Sequence, residues 1–176
     1  MKICFRSLLI LFVILTGPFF SDSWAAEFTG AKKCALCHKK PEQGEQMKIW
    51  ENSSHAKAFQ TLGTPEAKEA GAKLGISDPQ TSGKCLKCHS TAYHFTEERV
   101  SQVIPVEEGV SCESCHGPGK DYMTKTIMQD RAKAVEKGLI IPDEQTCLKC
   151  HNQESPTFKP FNFAERWEKI KHPRPK

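Results

Sequence analysis

Eight of the nine cysteines in this sequence fall into four Cys-x-x-Cys pairs, and a histidine directly follows each pair. The four runs are Cys34-Ala-Leu-Cys37-His38, Cys85-Leu-Lys-Cys88-His89, Cys112-Glu-Ser-Cys115-His116 and Cys147-Leu-Lys-Cys150-His151. Cysteines three apart on a helical turn present both sulfurs to one side. Two such sulfurs can add to the two vinyl groups of one haem, and the adjacent imidazole then meets the iron from one face. Cys-x-x-Cys-His is for this reason the attachment signature of haem c. Other uses of the cysteines fit less well. Disulfides would suit an even count in an exported chain, but they need no histidine after each pair. Structural zinc sites also use paired cysteines without that histidine. A thioredoxin-like dithiol would occur once, inside a βαβ pattern. The expectation is four haem c groups, with thioethers from Cys34, Cys37, Cys85, Cys88, Cys112, Cys115, Cys147 and Cys150, and with His38, His89, His116 and His151 on the irons.

Haem c is attached outside the cytoplasm, and the first residues agree with export. Lys2 and Arg6 precede the apolar run Leu8–Leu15, Gly17-Pro18 ends it, and Ser23-Trp24-Ala25 carries small residues where a signal peptidase reads. The expected cleavage follows Ala25, so residues 1–25 form a signal peptide and residues 26–176 one mature domain in the periplasm. Cys4 leaves with the signal. The apolar run is shorter than the roughly 20 residues of a membrane span. An uncleaved anchor is the alternative.

The elements that position the motifs are short. A polar composition with 11 Gly and 11 Pro builds a thin core, so porphyrin faces supply the missing apolar bulk and folding is coupled to cofactor attachment. The spacing predicts a mainly α chain of short helices and loops wrapped around four closely packed haems, with minimal β. One helix is expected from Pro41, carrying Met47, Trp50, Ala58, Phe59 and Leu62 as far as Gly63. A second covers 65–74, a third 121–137 with Gly138 as its cap, and a last one 163–171. Residues 91–95 and 100–106 read as a small hairpin. Lys87 and Lys149, inside their motifs, read as exposed.

Iron ligands can be counted. The sequence has seven histidines. Four lie in the motifs, which leaves His55, His94 and His172, so four irons cannot all take two imidazoles. His55 sits in Ser54-His55-Ala56-Lys57-Ala58, where small neighbours allow close approach to a porphyrin; it reads as a distal ligand rather than a surface histidine. His172 follows Trp167 and Ile170 and reads as a second distal ligand, against a helix C-cap role. His94 follows His89 too closely to fold back easily over the same iron; it stays a candidate ligand, against an exposed or haem-adjacent histidine. Met123 and Met128 follow the third motif; a thioether is an accepted axial ligand that raises potential relative to His, and core packing is its alternative.

These residues resemble the cytochrome c-554 family of tetrahaem cytochromes over nearly all of the mature chain. The marks are Cys-Ala-Leu-Cys-His with Trp50 and Ser54–Ala58, then Gly109-Val110-Ser111-Cys112-Glu113-Ser114-Cys115-His116-Gly117-Pro118-Gly119, and the last motif with Glu154-Ser155-Pro156 and His172. The resemblance implies a mostly helical fold with closely packed haem pairs, His55 and His172 as distal ligands, and a five-coordinate iron on His89. The chain departs from the pattern twice. The family's third distal histidine is missing from 120–130, where Met123 and Met128 stand nearby, and His94 occupies a position that is Gly in the family.

The leading functional expectation is electron transfer, with the protein setting haem spacing and potentials through ligands, burial and hydrogen bonds. The alternative is a reductase of nitric oxide, nitrite or hydroxylamine at an open iron, and a further alternative is a subunit of a membrane redox complex. Formal charge is +4, or +3 once Lys2, Arg6 and Asp22 leave with the signal. Haem propionates cancel such a charge, which points away from nucleic acid. The expected partners are periplasmic or membrane redox proteins as donor and acceptor, without stable membrane insertion of the mature chain.

Overall fold

The computed structural model describes residues 27–173, so the expected signal peptide at residues 1–25 lies outside them. Ten short α-helices and no strand occur among the described residues: α1 (Ala31–His38), α2 (Gln46–Glu51), α3 (Ala58–Thr61), α4 (Pro65–Lys73), α5 (Gly83–His89), α6 (Cys112–His116), α7 (Lys125–Met128), α8 (Arg131–Glu136), α9 (Glu144–Leu148) and α10 (Phe163–Ile170). The expected mainly α architecture is observed. No helix here is long and apolar enough to cross a membrane.

Three expected elements differ. The helix expected from Pro41 is a 3-10 turn (Pro41–Gln43) followed by α2 and α3. Gly44 and Glu45 take left-handed backbone, which starts α2 afresh. The Ser53 hydroxyl donates to the Trp50 carbonyl at 2.7 Å and helps to end it. The helix expected over 121–137 is split into α7 and α8, because Asp130 is extended and its carboxylate accepts from the Lys133 N–H, capping α8. The expected hairpin is absent. His94 and Phe95 have φ of 38° and 71°, which breaks an extended run. The Ala92 carbonyl accepts from both Val100 and Ser101, and Arg99 clips the loop to the Ser101 and Ile104 carbonyls.

The polypeptide core is thin. Its buried apolar residues are Ala31, Leu62, Leu86, Ala92, Ile104, Tyr122 and Ala134, and an equal number of polar residues is buried beside them. Thr91, at the end of the second motif, joins the third motif through hydroxyl bonds to Ser114 (2.8 Å) and Ser111 (3.1 Å). The Ser111 N–H also donates to it at 2.7 Å. Packing of α1 on α2 and α6, and of α3 on α5, brings the motif helices onto their supports.

Candidate haem-binding site

Motif residues occupy α1, α5, α6 and α9, with Cys150 and His151 in the turn just after α9. Asp143 and Thr146 cap α9 reciprocally, which fixes the entry to the fourth motif. No disulfide joins any of the eight motif cysteines. Cysteines of different motifs are close: Cys34 neighbours Cys112, and Cys88 neighbours Cys150. Cys115 neighbours Cys147 and Cys150. The third motif thus neighbours the first and the fourth, and the fourth neighbours the second.

Three motif imidazoles are oriented through Nδ1. His89 bonds the Ala58 carbonyl at 2.8 Å, His116 the Ile140 carbonyl at 3.0 Å, and His38 the Gln46 side-chain oxygen at 3.2 Å. A carbonyl accepting from Nδ1–H keeps the proton on that nitrogen and leaves the Nε2 lone pair for a metal. Burial, with the neighbouring His151 second, holds His55 below the ordinary histidine range. Burial also lowers His116, against the opposing pull of the Ile140 carbonyl. Both shifts favour the neutral ring that ligates iron.

Two of the sequence-predicted distal histidines face motif histidines. The His55 and His151 rings are 6.1 Å apart between centroids, and those of His116 and His172 are 5.9 Å apart. With metal–imidazole bonds of about 2 Å and roughly 1 Å from nitrogen to ring centre, two axial imidazoles on one metal stand about 6 Å apart. Both pairs match that separation, so the residues present fit haem iron held between two imidazoles. Phe161 stacks on His151 at 4.7 Å.

Local structure explains the positions. The Val110 N–H donates to the His55 carbonyl at 3.0 Å, and the Trp50 indole donates to the Val110 carbonyl at 2.8 Å. A Cβ on Gly109 would come within 2.8 Å of the His55 carbonyl oxygen, and its φ is +72°. This accounts for the Gly-Val that precedes the third motif. Residues 55–58 serve two sites, since His55 faces His151 while the Ala58 carbonyl orients His89.

The remaining candidates lie elsewhere. The His94 ring sits 4.9 Å from that of Phe28 and 4.6 Å from that of Phe95, with its Nδ1 buried and unbonded. Met123 lies between the Gly-Pro-Gly turn and α7, and Met128 ends α7; both are half-buried. Lys87 is less exposed than expected, its side chain 23% accessible and paired with Glu154 at 2.8 Å and Glu97 at 3.7 Å. Lys149 is exposed and lies 4.8 Å over the Phe95 ring.

Sequence reasoning missed two residues. Gln46, buried among polar partners, accepts from His38 and donates to the Pro173 carbonyl at 2.8 Å, joining the first motif to the residue after His172. Glu113 is also buried, inside the third motif. A polar residue at a helical position carried no signal for either role.

The family model described as "Cytochrome c554 and c-prime" matches residues 33–117, which span the first three motifs. Cytochrome c-554 of Nitrosomonas europaea is 33% identical over 168 residues, covering 85% of this chain and 67% of that protein. No solved structure matches. The motifs, their oriented imidazoles and this similarity agree: the chain belongs to the cytochrome c-554 family, c-type cytochromes with covalently bound haem and a role in electron transfer.

Proposed function

We propose that this chain is an exported, periplasmic electron carrier with four haem c groups, one on each Cys-x-x-Cys-His motif. Each haem, when bound, supplies an iron that gains or loses a single electron. The observation that carries the reading is the pair of facing imidazoles at 6.1 and 5.9 Å. It assigns His55 opposite His151 and His172 opposite His116. The proximal imidazoles are held by Ala58, Ile140 and Gln46, whose carbonyls keep the ligating nitrogens aimed and basic. The close approach of cysteines from different motifs supports one continuous relay among the haems. Electron donor and acceptor are other redox proteins of the periplasm or membrane.

Intact-mass analysis of the exported protein tests the haem count, with four added haems and a chain beginning at Ala26 expected. No added haem overturns the proposal. Electron paramagnetic resonance of the oxidised protein tests the ligands. His55→Ala and His172→Ala should each convert one low-spin signal to high-spin, and an unchanged spectrum removes that histidine as a ligand.

A second reading, reduction of a small nitrogen species, is favoured by the ligand count, since seven histidines cannot supply two imidazoles to each of four irons. A high-spin signal that responds to nitric oxide or carbon monoxide supports it. Four low-spin signals without a response leave electron transfer alone, with two of Met128, Met123 and His94 completing the set.

A further inference from the structure

Glu113 directly follows the first cysteine of the third motif and is 1% exposed. Its carboxylate accepts from the Thr29 N–H at 2.9 and 3.1 Å, the Thr29 hydroxyl at 3.3 Å, the Gly30 N–H at 2.8 Å and the Gly119 N–H at 2.6 Å. Every partner is a donor. Gly30 is the N-cap of α1, the helix of the first motif, and Gly119 closes the turn after the third. No cation pairs with Glu113 among the described residues. Its neighbour at the same helix end, Glu108, accepts from the Ala31 N–H at 3.2 Å and is likewise without a cation there.

A full negative charge thus lies between the attachment points of the first and third motifs, in a low-dielectric interior where charges interact strongly. Neutral backbone dipoles hold it there and do not cancel it. The second and fourth motifs have lysines at their variable positions, and Lys87 is matched by two glutamates. Negative charge beside a haem stabilises the ferric form over the ferrous, so it lowers the potential.

We propose that Glu113 is a potential-setting residue: a fixed buried charge that holds the first and third haems below the potentials their ligands alone would give. The inference rests on the four-haem reading. It is tested by potentiometric titration of the purified haem protein, followed by electron paramagnetic resonance. The low-spin signals of the third and fourth haems are told apart by their loss in His172→Ala and His55→Ala. Glu113→Gln should move the third-haem midpoint upward and leave the fourth in place. Glu113→Asp keeps the charge while altering the hydrogen bonds, so its midpoint should stay near that of the unsubstituted protein. No upward shift in Glu113→Gln, or an equal shift in both variants, overturns the inference. If Glu113→Gln does not mature, Glu108→Gln replaces it, with a smaller upward shift expected and none overturning the proposal. Intact mass on the same samples separates the two readings. Four haems with an unmoved midpoint sink the inference alone, and fewer than four haems in the unsubstituted protein sink the reading beneath it.

Discussion

His94 is a residue at odds with its surroundings. It takes left-handed backbone, packs between two phenylalanines and leaves a buried nitrogen unbonded. Burial, then Lys149, pushes its pKa below the ordinary value. In the unfolded chain its pKa is about 6.5, so on acidification that state takes up a proton before the folded one. Its contribution to stability therefore falls as pH drops through the ordinary histidine range and is recovered above it. His94→Phe should flatten the acid side of the melting-temperature curve, measured between about pH 7 and 5; a curve as steep as before would refute this role. Residue chemistry was the most legible level of this sequence. Each Cys-x-x-Cys-His unit needs only local spacing to be recognised, and His55 and His172 were found by counting what remained. Gln46 and Glu113 were not legible, because their roles depend on partners far away in the chain, at Pro173 and at Thr29–Gly30.

At the scale of elements, α10 shows how a short helix places a ligand. Asn162 accepts from the Glu165 N–H at 3.2 Å and caps the helix, and His172 follows its end by two residues. Asn162→Ala should cost about 1 kcal/mol in local stability, as N-cap losses do. Because His172 is carried on that element, the variant should also bind cyanide faster at the third haem. Thermal melting and stopped-flow absorbance check the two effects, and unchanged rates would detach the cap from the ligand. The helices expected over 65–74 and 163–171 match α4 and α10 to within a residue at each end. The breaks inside the helices expected from Pro41 and over 121–137 were not legible. They arise where side chains at Ser53 and Asp130 compete for backbone groups, and apolar periodicity does not register that competition. The false hairpin has the same kind of cause, since β-branched residues on 91–106 are spent on a loop clipped by Arg99.

For the whole molecule, the small apolar core sets the terms of folding. Replacing the eight motif cysteines by serine should give a chain without near-ultraviolet circular dichroism and without a cooperative melt, because porphyrin no longer fills the interior. A sharp melt in that variant would show that the polypeptide folds unaided. The meeting of Cys34 with Cys112, and of Cys88 with Cys150, interleaves the motifs. The first motif thus meets the third, and the second meets the fourth, across a motif that lies between them in the chain. On the proposed export, translocation delivers the N-terminus first, so the first motif emerges long before the surface it rests on, and the second motif is waiting as well when the third arrives. Biogenesis would then hold a half-emerged, haem-loaded chain open until Cys112 and then Cys150 come through. A chain cut short before Cys112 should accumulate with two haems yet stay protease-sensitive throughout.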